Sequence, residues 1–216
     1  MFIGEDASSI SVAGRWQRPD PHLRELFATA PAAVVGDALG RMLVMDAGIR
    51  CMTSTATRMV GFALPVVVRA GDNLAIHRAL DEAEPGDVLV VNGAGDLSRA
   101  LIGDLIGEIM MVRGVPGAVV DGAVRDVDVL DANGLAVFAR GTTPAGPFKT
   151  GPGWVGRPVA AGGVVVGPGD VVVADSDGVA VVPLERSAWA VAQMEIVLGR
   201  EAELRRRITM SAEGET

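Results

Sequence analysis

Apolar residues in the middle of the chain come in short runs cut by turn residues, and two spacings alternate. Val60–Val68, Val88–Asn92, Ala118–Asp121 and Leu135–Arg140 are compact, apolar and bounded by Gly, Pro or Asp, which predicts buried strands. Between them, residues 72–84, 104–113 and 124–132 carry helical patterns. Strands alternating with helices predict an α/β domain with parallel pairing. Upstream, residues 21–41 read as two short helices, the second from about Pro31 to Leu39 with Pro at its start and Gly40 at its end. From Gly162 to Pro183 the pattern changes to Val-rich pieces separated by Gly-Pro-Gly-Asp and Asp-Ser-Asp-Gly, which predicts antiparallel β-structure. A final helix is expected from Ser187 to about Ile208, opened by a Ser cap and closed by Arg205, Arg206 and Arg207. Its part beyond Gly199 is polar and should project from the core. The expected organisation is therefore an N-terminal extension (1–20), an α/β domain (21–185) and a C-terminal helix and tail (186–216). The Gly/Pro-rich stretch Gly141–Gly153 is a long loop, and long loops in compact domains are often functional.

Composition narrows the function classes. The 216 residues are 49% hydrophobic, enough for a sizeable core. A net charge of −8 argues against nucleic-acid binding, which needs clustered Lys and Arg. Cys51 is the single cysteine, so neither an intrachain disulfide nor a thiol-rich metal site is available. The first residues, Met-Phe-Ile-Gly-Glu-Asp, do not read as a signal peptide, and no apolar run approaches a membrane span, so a cytoplasmic chain without a membrane partner is expected. Only two histidines, His22 and His77, and one lysine, Lys149, occur.

The densest polar cluster in an apolar setting is Asp121-Gly-Ala-Val-Arg125-Asp126, directly after a predicted strand and opening a predicted helix. Open α/β sheets hold ligands at such strand ends. An arginine can clamp a carboxylate or enolate with two donors while a neighbouring aspartate holds a cation. Helix-start surface charges would have the same pattern. Gly103-Asp-Leu-Ile106 introduces another apolar helix, whose free N–H groups form an anion site; Asp104 alone would also serve as an N-cap. Asp37 is a third acid on an apolar helix.

These stretches share a wider likeness. The runs Ala100-Leu-Ile-Gly-Asp-Leu-Ile-Gly-Glu108 and Gly117-Ala-Val-Val-Asp-Gly-Ala-Val-Arg-Asp-Val-Asp128 resemble the RraA-like family. So do Asp37–Arg41, Met45–Arg50, Pro144–Pro147 and Gly169–Pro183, in order, so that the likeness covers about residues 31–207. That family contains regulator of ribonuclease activity A and the 4-hydroxy-4-methyl-2-oxoglutarate aldolases, which also decarboxylate oxaloacetate. The resemblance implies an α/β/β/α sandwich of the swivelling-domain type, assembled as a homotrimer or homohexamer with sites between subunits. It implies that Asp126 holds the metal, largely through waters, and that Arg125 binds the pyruvyl oxygens. Gly103, Asp104, Leu105 and Ile106 would take the pyruvyl carboxylate, on the N–H groups of Leu105 and Ile106. Asp104 would position a proton-moving water, joined by two acids of a neighbouring subunit that match Asp37 and Glu201 here, with Glu203 close by. Asp37 stands where the aldolases often carry Glu, a reach shorter by one methylene.

A lone carboxylate with waters suits Mg²⁺ or Mn²⁺ better than Zn²⁺. The expected reaction is cleavage of a small 4-hydroxy-2-oxo acid to pyruvate, with oxaloacetate decarboxylation through the same enolate. A Schiff-base route would need Lys149, which sits in a loop expected to be wet. No Gly-x-Ser-x-Gly elbow is present, and His77 reads as a structural helix residue. The competing expectation is a non-catalytic, protein-binding regulator of ribonuclease activity; the long terminal helix with Glu201 and Glu203 favours the enzyme.

Overall fold

The computed structural model describes residues 8–214. In chain order the elements are β1 (Ile10–Val12), α1 (His22–Phe27), α2 (Ala32–Ala38), β2 (Arg50–Cys51), β3 (Met59–Val68), α3 (Leu74–Glu82), β4 (Asp87–Asn92), β5 (Ala100–Ile102) and α4 (Asp104–Arg113). There follow β6 (Gly117–Val124), α5 (Val127–Ala132), β7 (Ala136–Thr142), β8 (Gly153–Val155), β9 (Val159–Ala161), β10 (Val164–Val166), β11 (Val171–Asp175), β12 (Gly178–Val182) and α6 (Ser187–Gly214).

β3, β4, β6 and β7 pair in parallel, and β5 adds to β6. α3, α4 and α5 connect them and cover one face, burying Leu80, Leu89, Met110, Val120 and Leu130 in one core. The other face meets the hairpins β9–β10 and β11–β12 in a second core around Met59, Val90, Phe138, Val166 and Val181. A third core, with Phe27, Val35, Val173, Ala190 and Met194, seats α1, α2 and α6 on the outer face of β11–β12. The layers are thus α/β/β/α. Strands enclosed on both faces read as continuous apolar runs rather than alternating ones, which is why the central strands stand out in the sequence.

β3 belongs to both layers. Its first part pairs with β11 (Phe62 opposite Val171) and its last part with β8 (Val66 opposite Val155). Pro65, which has no N–H to donate, falls in the gap between those two pairings.

Several boundaries differ from expectation. The strand expected to end at Asp121 runs on to Val124, so Asp121 lies inside β6 and α5 starts only at Val127. α6 does not stop at the three arginines: it continues to Gly214, and Arg205 and Arg206 bond Glu201 and Glu203 one turn back instead of capping carbonyls. Within the segment expected to be an N-terminal extension, Ile10–Val12 pair with β8, and Arg18 makes an ion pair with buried Asp87. No described helix is long and apolar enough to cross a membrane.

Candidate functional site

The ends of β5 and β6 and the start of α4 converge on one spot. The Arg125 N–H donates to the Ile102 carbonyl (2.9 Å), stitching the end of β6 to the last residue of β5. Asp126 then takes a left-handed conformation (φ 54°), a turn that Asp tolerates better than most residues. Its Oδ2 accepts the Asp104 N–H (3.2 Å) and the Arg125 Nε–H (3.1 Å). Both side chains keep about a third of their surface exposed (35% and 34%). The sequence-adjacent pair is therefore a real pair in space, and Asp104 is tied to it through its backbone.

The missing side chain of Gly103 makes room for the pair. A Cβ there would lie 2.6 Å from Asp126 Oδ2 and 2.9 Å from Arg125 Nε, so the side chains of the pair occupy the space that its missing side chain leaves. Gly103→Ala should displace both groups by a fraction of an ångström to an ångström and lower turnover roughly 10- to 100-fold. Steady-state kinetics alongside a melting curve would check this; full activity would mean that the pair's position is not critical. The N-cap of α4 is also Gly103 rather than Asp104, and Asp104 Oδ1 accepts the Leu105 N–H (2.7 Å). An anion bound at Leu105 must therefore displace the Asp104 side chain from that N–H.

Arg125 separates two clefts. A small pocket of about 60 Å³ is lined by Asn73, His77, Leu105, Ile106, Arg125 and Lys149. An open cleft of about 400 Å³ on the other side includes Asp126, Asp128, Thr142, Thr143 and Pro144. The loop that brings Lys149 to the small pocket is pinned. Buried Asp72 accepts N–H bonds from Leu74 (3.0 Å), Thr150 (2.8 Å) and Gly151 (2.9 Å). Burial acts to raise the Asp72 carboxyl pKa, but these bonds outweigh it and hold the group below its ordinary value. The Arg99 guanidinium, 4.0 Å above the Phe148 ring, and its bond to the Gly146 carbonyl (2.7 Å) fix the same loop.

Asp121, grouped with Arg125 and Asp126 in the sequence, does not join them. It bonds Arg140 and accepts the Gly162 N–H (2.9 Å), so it ties β6 to the second β layer. Asp37 and Glu201 line neither cleft at Arg125. Asp37 pairs with Arg41 (2.7 Å) beside a separate groove at α2 and β12, and Glu201 pairs with Arg205 (2.7 Å) on the outer part of α6. Within one chain, then, Gly103, Asp104, Leu105, Ile106, Arg125 and Asp126 come together and Asp37 and Glu201 stay apart.

Two residues of the site have no motif to announce them. His77 is 6% exposed and Asn73 4%, and both line the small pocket. Burial, with Lys149 nearby, lowers the His77 pKa from 6.5 to about 4. The unfolded chain therefore takes up a proton below pH 6.5 that the folded chain refuses until about pH 4. Between those values stability falls as the pH falls, by an amount on the order of 3 kcal/mol. Thermal melts of the wild type and His77→Leu should diverge over this window, the variant losing less; parallel curves would mean that His77 is not kept neutral.

Among the described residues no three His, Cys, Asp or Glu side chains gather into a metal-holding group. The donor set at the pair is one carboxylate, Asp126, whose Oδ2 is engaged and whose Oδ1 accepts no hydrogen bond among the described residues. A single carboxylate about a third exposed, beside an open cleft, fits a hard cation that keeps most of its waters, and not a zinc centre built from several protein ligands.

An α/β/β/α chain with an Arg–Asp pair at a strand end, facing a glycine-opened helix start, defines the class. The chain belongs to the RraA-like family, whose Aldolase/RraA model matches residues 32–181. A Halalkalibacterium halodurans protein, provisionally named 4-hydroxy-4-methyl-2-oxoglutarate aldolase, is 41% identical over 157 residues, 73% of this chain and 74% of that one. Streptomyces coelicolor RraAS2, described as an unusual member of the RNase ES inhibitor RraA family, superposes with TM-score 0.79 at 29% identity, covering 88% of this chain and 99% of its own. The RNA-processing inhibitor RraA from Thermus thermophilis gives 0.65 at 30% identity, over 71% of this chain and 93% of its own.

Proposed function

We propose that the chain is a divalent-metal-dependent lyase that cleaves a 4-hydroxy-2-oxo acid, such as 4-hydroxy-4-methyl-2-oxoglutarate, to pyruvate and a carbonyl product. The observation that carries this reading is the geometry of Arg125 and Asp126, a guanidinium and a carboxylate with a free oxygen fixed beside a helix start. The aldolase name of the 41% identical relative supports it.

In this reading the pyruvyl carboxylate lies against the start of α4, where N–H groups and the helix dipole favour an anion. Arg125 directs its guanidinium to the keto oxygen. Mg²⁺ or Mn²⁺ would be held by Asp126 and water, and when bound it supplies Lewis-acid polarisation of the oxo acid. A water held by Asp104 takes the proton of the 4-hydroxyl. The C3–C4 bond breaks, the carbonyl product leaves, and the electron pair of that bond passes through C3 to the keto oxygen. Arg125 is already in place for the charge that develops there. A proton returned to C3 completes pyruvate. Oxaloacetate, losing carbon dioxide from C4, gives the same enolate and should be decarboxylated at the same site. Asp37 and Glu201 lie apart from Arg125 within one chain, so their part in proton transfer requires a second copy, in a homotrimer or homohexamer.

The test is pyruvate release from 4-hydroxy-2-oxo acids by the Mg²⁺-loaded protein, in parallel with ribonuclease inhibition. Lys149→Arg should keep turnover within about an order of magnitude, whereas a Schiff-base enzyme would lose it almost entirely. The second reading, a protein-binding regulator, draws on the two RraA structures, and inhibition without any pyruvate release would select it.

A further inference from the structure

The small pocket beside Arg125 has room for little beyond the head of a 2-oxo acid. Its volume of about 60 Å³, bounded by Leu105, Ile106 and Arg125, suits a carboxylate group or a few waters. A substrate whose carboxylate lies at the start of α4 must therefore carry the rest of its carbon chain past Arg125. The open cleft of about 400 Å³ on the other side of that guanidinium has the space. Two chain segments build its rim. Asp128 comes from the first turn of α5, two residues after Asp126. Thr142 ends β7, and the next N–H, that of Thr143, donates to the Val124 carbonyl (3.1 Å), which holds this rim to the end of β6.

The charges around this cleft do not balance. Arg125 and Asp126 bond each other, and in the lyase reading both are committed to the pyruvyl head and its cation. Asp128 is exposed and has no hydrogen bond or ion pair from its side chain among the described residues. Arg125 is the only cationic residue of the described lining, and Arg140, two residues before Thr142, is taken up by Asp46 and Asp121. A second carboxylate on the substrate tail would thus face a like charge that nothing neutralises. An uncharged tail meets no such penalty. If it carries a hydroxyl, the Asp128 carboxylate accepts from it and the Thr142 hydroxyl can donate to it. Resting on the lyase reading above, we propose that Asp128 is a specificity-determining residue that favours 4-hydroxy-2-oxo acids with an uncharged tail beyond C4, such as a hydroxymethyl group, over those ending in a second carboxylate. Because Asp128 is exposed, the discrimination is moderate and sensitive to salt.

The experiment measures kcat/KM for a matched pair of substrates on Mg²⁺-loaded full-length wild type, Asp128→Asn and Asp128→Lys. One is 4,5-dihydroxy-2-oxopentanoate, which ends in a hydroxymethyl group; the other is 4-hydroxy-2-oxoglutarate, which ends in a carboxylate at the same place. The ratio of the two values is the specificity. At low ionic strength wild type should favour the uncharged tail about fivefold or more. Near 1 M salt, where the screening length is about 3 Å, that preference should shrink to within about twofold. Asp128→Asn should lower the low-salt ratio about threefold or more, and Asp128→Lys about tenfold or more, since it replaces repulsion with attraction. A wild-type ratio below about two, as a cation brought to the cleft by a second copy would give, overturns the inference and leaves the lyase reading standing. So does a ratio that is unchanged in both variants. A wild type inert toward both substrates removes the lyase reading and this inference with it.

Discussion

Arg125→Ala is expected to lower pyruvate release by about 10³-fold or more while leaving the melting temperature within a few degrees of wild type. Removing a fixed donor from the oxygen that gains charge costs 10² to 10³ on its own, and a guanidinium adds full charge to that donor. Arg125 also walls both clefts and bonds Asp126 through Nε, so the variant loses the clamp and loosens its neighbour together. The fold should tolerate the change because the Arg125 backbone N–H, not its side chain, makes the bond to Ile102. Arg125→Lys should recover little, since an ammonium has no planar fork and cannot reproduce the Nε bond. Wild-type kcat in Arg125→Ala would remove the residue from the chemistry.

The second large effect is expected from the cation. Stripping with EDTA followed by gel filtration should abolish turnover, and Mg²⁺ or Mn²⁺ should restore it. Asp126→Asn should lose at least about 10²-fold and respond only weakly to added cation. Its amide oxygen can still accept from the Asp104 N–H, so the local backbone is retained and the loss reports on charge. Calorimetry supplies the independent reading: one weak cation site per chain in wild type and none in Asp126→Asn. Undiminished turnover after stripping would exclude the cation from the reaction.

Much of this was legible in the sequence, for identifiable reasons. Strands buried on both faces announce themselves as Val runs, and the Arg125–Asp126 pair could be read because adjacent residues at a strand end share one location. What escaped depends on long-range contacts. Asp121 looks like a member of the same cluster, but its partners are Arg140 and the backbone of Gly162, 41 positions away. The need for glycine at 103 comes from side chains 22 and 23 positions later, which no local pattern encodes. His77 is a polar residue on the buried face of α3 and Asn73 is the N-cap of that helix, and helical spacing makes them look like ordinary core and cap positions. Only the fold turns them toward a cavity. The length of β6 is hidden for the same kind of reason: Asp121 and Gly122 resemble a turn, but Asp121 still pairs with β4, and pairing with β5 and β7 carries the strand on from Ala123.

The ten-residue strand β3 has a mechanical consequence. One uninterrupted backbone is hydrogen-bonded at its beginning to the layer that carries α2 and α6, and at its end to the layer that presents Arg125. Neither half can lose its structure without stripping the other of a neighbour. Heat or denaturant should therefore dismantle the chain in one concerted event, and damage near Phe62 should be felt at the edge that carries Arg125 as lowered cooperativity rather than as local fraying.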